Sequence, residues 1–161
     1  MKAKVLTSLF TIALTIIFIG FVSSATAQNK PADNMEIVKE KIRTDKKLLI
    51  AKNMQLTESE ANAFWPVYES YQAEIGKLRD REIKLIEKFA ASYETMSDDV
   101  AKKLLDDSVS IDSGHQKLRQ SYLSKFRGVL SDKKVARYYQ LESKIDAVME
   151  YELARRIPLV K

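Results

Sequence analysis

The sequence predicts an all-α protein: four helices in an elongated or cradle-like bundle, with a long second helix kinked near its start. Three observations carry this. The 161 residues are 45% hydrophobic and 30% charged with only four Gly and three Pro, a composition that suits helices better than a turn-rich sheet. Residues 56–93 hold an apolar seam, with Phe64, Tyr68, Tyr71, Ile75, Leu78, Leu85 and Phe89 at steps of four and three and a polar Glu82 at the place between Leu78 and Leu85. That spacing is the seam of a helix bundle or paired helices. Hydroxyl residues that can cap a helix, Thr57, Ser97 and Ser131, recur ahead of apolar-periodic stretches, and each marks a helix start.

Residues 1–27 are set apart from that domain. Lys2 and Lys4 form a basic start, an apolar run extends from Val5 to Val22, and Ala25-Thr26-Ala27 offers a small-residue cleavage site. This is the pattern of a secretory signal peptide, so a periplasmic or secreted location is expected, with no stable membrane insertion after cleavage. Removing residues 1–27 takes away two lysines and no acid, so the formal charge of +5 falls to +3. A charge so mild, in an exported chain, argues against nucleic acid as a partner. There is no Cys, which excludes disulfides, thiol catalysis and thiolate metal sites. Packing alone must hold the fold, and an elongated arrangement buries less surface, which favours a homodimer.

Residues 28–32, polar and containing Pro31, read as a flexible leader, and residues 33–161 as one helical domain. The first helix is expected from Asp33 to about Asn53, with a thin stripe of Met35, Val38, Ile42 and Leu49 among six Lys or Arg. The second opens at Thr57 with Glu60 three residues on, the capping-box spacing. Pro66, two turns inside it, removes one backbone bond and presses on the Asn62 carbonyl, so a kink at Trp65-Pro66 is predicted. The third helix follows Ser97, with Asp98 and Asp99 suiting the positive end of its dipole. Its middle, from Asp106 to Gly114, gathers poor helix formers, so bending or fraying is expected there, with close approach of another backbone at Gly114 as the alternative. The fourth follows Leu130-Ser131-Asp132 and ends at Ile157-Pro158 after Arg155 and Arg156. The apolar tail Pro158-Leu159-Val160 is expected to dock.

Two short motifs and two longer phrases carry a resemblance. Leu56-Thr57-Glu58-Ser59-Glu60 and Leu130-Ser131-Asp132-Lys133-Lys134 resemble the LTxxQ motif that occurs twice in the Spy/CpxP family of small periplasmic helical proteins, with Glu60 and Lys134 at the Gln positions and Ser131 for Thr. Ala63-Phe64-Trp65-Pro66-Val67-Tyr68 and the ending from Tyr151 to Leu159 resemble an uncharacterised group of exported bacterial proteins. The Spy/CpxP resemblance implies a curved four-helix cradle, usually dimeric, that shields unfolded clients or touches an envelope-stress sensor without ATP.

Candidate chemistry on the residues themselves is sparse. His115, the only His, has Asp112 three positions before it, but two ligands do not make a metal site, and neither a metal nor a cofactor is expected. Met35, Met54, Met96 and Met149 are too scattered for a soft-metal box. The carboxylates Asp98, Asp99, Asp106 and Asp107 lack an accompanying nucleophile with its base or a Gly-rich phosphate loop, so the chain does not read as an enzyme. Glu82 in the seam is either a buried selector of register or partly solvated. The aromatic group Phe64, Trp65 and Tyr68 is the candidate surface for a client or partner, because Phe64 and Trp65 point about 100° apart on a helix and cannot both enter a narrow core. The expected function is therefore non-enzymatic binding, chaperone-like or as partner of an envelope-stress sensor. An adaptor with one fixed partner and a metal-responsive sensor are the alternatives.

Overall fold

The computed structural model describes residues 31–160, with side chains from residue 41 onward; the predicted signal segment and most of the leader lie outside these residues. The described chain is all-α, with helices α1 (Pro31–Met54), α2 (Glu58–Ser92), α3 (Asp98–Arg127) and α4 (Asp132–Ala154), and one 3-10 turn, Tyr93–Thr95, between α2 and α3. No helix among the described residues is long and apolar enough to cross a membrane.

The sequence signals at the helix ends act as chemistry requires. Pro31, at the first position of α1, has no N–H to leave unpaired and a φ already suited to a helix. It starts the helix two residues ahead of Asp33. At the other end Gln55 adopts a left-handed φ of 50°, a terminating conformation usually given to Gly because other side chains strain in it. Thr57 then caps α2 as a capping box: the Glu60 N–H donates to Thr57 Oγ1 at 3.3 Å, and the Thr57 N–H donates to Glu60 Oε2 at 2.8 Å. Helix lies on both sides of Pro66, and the Ser70 hydroxyl donates to the Pro66 carbonyl at 3.0 Å. Ser97 caps α3 by accepting from the Val100 N–H at 3.3 Å.

Helix α3 runs unbroken from Asp98 to Arg127, so the expected fraying between Asp106 and Gly114 does not occur. The reason lies at Gly114, where a Cβ would come within 2.9 Å of Leu78 Cδ2. A helix brought that close to α2 is held by tertiary contact, which outweighs weak local propensity. Helix α4 stops at Ala154, ahead of Arg155 and Arg156, and the Arg156 and Ile157 N–H groups both donate to the Leu153 carbonyl. The tail does not dock: Leu159 is 89% exposed, and a side chain so open gains nothing from burial.

The chain packs as two units, one holding residues 31–55 with Gln140–Glu152, the other holding Leu56–Tyr139 with the residues from Leu153 on. In the first unit Lys46 is buried and its ammonium lies 2.7 Å from Glu142, itself buried, and 3.8 Å from Asp146. Two charges removed from water tolerate this only as a pair. In the second, Phe64, Tyr68 and Tyr71 of α2, Tyr122 and Phe126 of α3, and Tyr138 and Tyr139 of α4 form one buried aromatic cluster. Its closest pair is Phe126 and Tyr138, with ring centroids 4.6 Å apart, and Phe64 meets Tyr138 edge to face at 5.3 Å.

Lys46→Ala leaves the Glu142 carboxylate buried without its cation and is expected to destabilise the protein by about 3 kcal/mol. Replacing both partners with Met and Leu is expected to restore wild-type stability or better, as measured by urea unfolding.

Candidate functional site

The aromatic face read from the sequence is built as a core. Phe64 and Tyr68 are 0% and 1% exposed, so a client cannot reach either without opening the cluster. Trp65 is half-buried and lies on the rim, edge to face with Phe64 at 5.0 Å and with Tyr68 at 5.3 Å. The 100° step between Phe64 and Trp65 is thus resolved by a core wide enough to hold the first ring and to touch the second.

The polar member of the seam is answered across the helices. Glu82 Oε1 lies 2.7 Å from His115 Nε2, and Arg79 Nη1 donates to Glu82 Oε2 at 2.8 Å. All three are half-buried. Burial pushes the Glu82 carboxyl toward its neutral form, but the His115 hydrogen bond and the Arg79 charge outweigh it and hold the carboxyl below its usual range. His115 therefore points at α2 while Asp112 is exposed, so the suggested metal pair is not assembled. Among the described residues no group of three His, Asp or Glu side chains could hold a metal ion.

The acid cluster of α3 is divided between roles. Asp98 and Asp99 stand in its first turn, where they favour the helix dipole, while Asp107 Oδ2 lies 3.3 Å from the Lys88 ammonium of α2. The two LTxxQ-like motifs meet each other: Lys134 donates to Glu60 Oε2, the oxygen that also closes the capping box. This hydrogen bond, followed by the one from the Thr57 N–H, holds the Glu60 carboxyl below its ordinary range. The Glu60 and Lys134 side chains are thus complementary in charge.

Sequence reasoning missed a surface on the hairpin arm that α2 and α3 form beyond the aromatic cluster. Between Tyr71 and Ile111 no residue is buried. Leu78, Leu85, Phe89, Val100 and Leu104 of the seam are only half-buried, because two helices cannot enclose what a third would cover. Near the turn this leaves an open groove lined by Ala91, Val100 and Leu104 together with Lys88, Lys103 and Asp106. The signal was present in the sequence: the seam continues well past the last aromatic residue that has a partner on α4.

Because the folded state holds the Glu82 and Glu60 carboxyls below the ordinary value of 4.5, their contribution to stability is present above that pH. It is lost as pH falls through the lowered values. Thermal unfolding is expected to show a decline below about pH 4.5, and Glu82→Gln is expected to make that decline shallower; an acid limb unchanged in the variant would contradict the assignment.

The chain matches no family model, no curated protein and no solved structure, so the geometry of these residues is what a functional reading rests on.

Proposed function

We infer that the protein is an exported, non-enzymatic binding protein of chaperone-like type or a partner of an envelope-stress sensor, and that it holds apolar segments in the groove of the α2–α3 arm. The observation that carries the reading is the arm itself, where a long apolar seam is left half-exposed between rows of mixed charge. Burying an apolar segment on Ala91, Val100 and Leu104 releases water from both surfaces. So small an apolar lining keeps the gain small and indifferent to sequence, and the Lys88, Lys103 and Asp106 side chains that share the groove keep the complex in solution. Nothing in this mechanism consumes ATP. The export signal read in residues 1–27 supplies the location, and the bend expected at Trp65-Pro66 belongs to the same proposal, since Pro66 offers no N–H to the Asn62 carbonyl.

Of the three aromatic residues first suggested as a contact surface, only Trp65 retains an exposed edge, which makes it the rival to the groove. Suppression of light scattering by an aggregating client, without ATP, separates them. Leu104→Ser is expected to reduce holding several-fold with the helix content intact. Trp65→Ala is expected to cost about 2 kcal/mol of stability, less than for a fully buried ring, and to leave holding unchanged. Absence of holding by the wild-type protein would remove the proposal, and loss of holding in Trp65→Ala alone would move the contact to that rim.

A further inference from the structure

Helix α4 carries an ordered strip of side chains on the side it does not bury. Its buried residues, Val135, Tyr138, Tyr139, Glu142 and Glu152, gather on one side of the helix, and the strip runs about 150° round from their centre. Lys133, Arg137, Gln140, Lys144, Val148 and Tyr151 follow one another at steps of four, three, four, four and three, which keeps all six on one face of a helix. Every one is exposed, Tyr151 at 66% and Val148 at 39%. The strip holds three cations and no acid. The acids of α4 are engaged elsewhere: Asp132 lies 2.8 Å from Arg127 Nε, Glu142 and Asp146 face the Lys46 ammonium, and Glu152 is buried. Glu150 is exposed but stands about 100° round the helix from Tyr151. Cations thus flank an apolar end, with Lys144 ahead of Val148 and Tyr151 and the exposed Arg155 and Arg156 in the turn that follows. The next residues continue the pattern, Ile157 being 37%, Leu159 89% and Val160 55% exposed.

We propose that this face of α4 docks the protein peripherally on an anionic phospholipid bilayer, with Lys133, Arg137 and Lys144 toward the lipid phosphates and Tyr151 at the level of the headgroups. Charge complementarity and shape select this occupant. From Lys133 to Tyr151 the strip is straight and about 27 Å long, and a bilayer offers negative charge over a plane, so it meets every cation along the line at once. The long stems of Lys and Arg lie along the surface while their charged ends stay hydrated. A Tyr ring is at home at that depth, its apolar body among the first acyl carbons and its hydroxyl in water. An acidic protein surface would satisfy the cations but leave Val148, Tyr151 and Leu159 without an apolar counterpart, whereas a bilayer supplies both along its whole plane. The apolar residues are too few to insert deeply, and no helix among the described residues can span a membrane, so the binding is superficial, reversible and sensitive to salt. The strip lies on another helix than Val100 and Leu104, and the inference stands apart from the client groove.

Co-sedimentation with vesicles tests it, on protein recovered from the exported fraction after expression of the full chain. The expected result at low salt is binding to vesicles of phosphatidylglycerol mixed with phosphatidylcholine, far weaker binding to phosphatidylcholine alone, and release as salt is raised. Lys133→Gln with Lys144→Gln is expected to weaken binding by about twenty-fivefold, each cation contributing about fivefold. Tyr151→Ser is expected to weaken it several-fold, with helix content by circular dichroism unchanged in both variants. Leu104→Ser, in the client groove, is expected to leave vesicle binding as it is. No binding to the anionic vesicles overturns the proposal, as does equal binding to both kinds of vesicle or binding indifferent to the two lysines. Lysine-dependent binding to polyglutamate with none to vesicles also overturns it, giving the strip to an acidic protein, and leaves the proposed function standing.

Discussion

The packing of aromatic rings from α2, α3 and α4 against one another is the interaction on which the larger unit depends. Phe64, Phe126 and Tyr138 are 0% exposed, and each ring pair adds about 0.5–1.5 kcal/mol beyond the area it buries. With no Cys in the chain, nothing covalent substitutes for this cluster. It also decides what the remainder of the hairpin can be. Beyond Tyr71 and Tyr122, where the buried cluster ends, α2 and α3 continue with their seam residues, Phe89 included, only half-buried, and apolar side chains that would be core elsewhere become surface.

Polar contacts then set register where the apolar seam cannot. Glu82 reaches His115 across the arm, Lys88 reaches Asp107, and Arg81 donates to the Ser110 hydroxyl at 3.1 Å. These links are partly solvated, and each contributes little by itself. Their value is in alignment, since a slip of one turn would place Glu82 against apolar residues and leave its charge without a donor. Gly114 acts with them, because a larger side chain there would meet Leu78 and push the two helices apart.

Much of this was legible in the sequence, and the rest was hidden for identifiable reasons. The seam from Phe64 to Phe89 and the caps at Thr57 and Ser97 are local patterns, and local patterns survive folding. Reading the region around Gly114 as a place of fraying failed because propensity says nothing of a contact 36 positions back with Leu78. Lys46 looked like one of six cations on a thin helix, since its partner Glu142 is remote in the chain. The 100° step between Phe64 and Trp65 showed that a narrow core could not take both rings, yet only packing could say that Trp65 would rest on the rim while Phe64 and Tyr68 closed the core.

The central claim is that order in the larger unit originates in the aromatic cluster and weakens along the arm. Native-state hydrogen exchange read residue by residue measures this directly. The account predicts the slowest amides at Phe64–Tyr71 on α2, near Tyr122 and Phe126 on α3 and near Tyr138 on α4, with protection falling toward the turn at Tyr93–Thr95. Equal protection along the whole of α2 and α3, or the slowest exchange at the arm's tip, would contradict it.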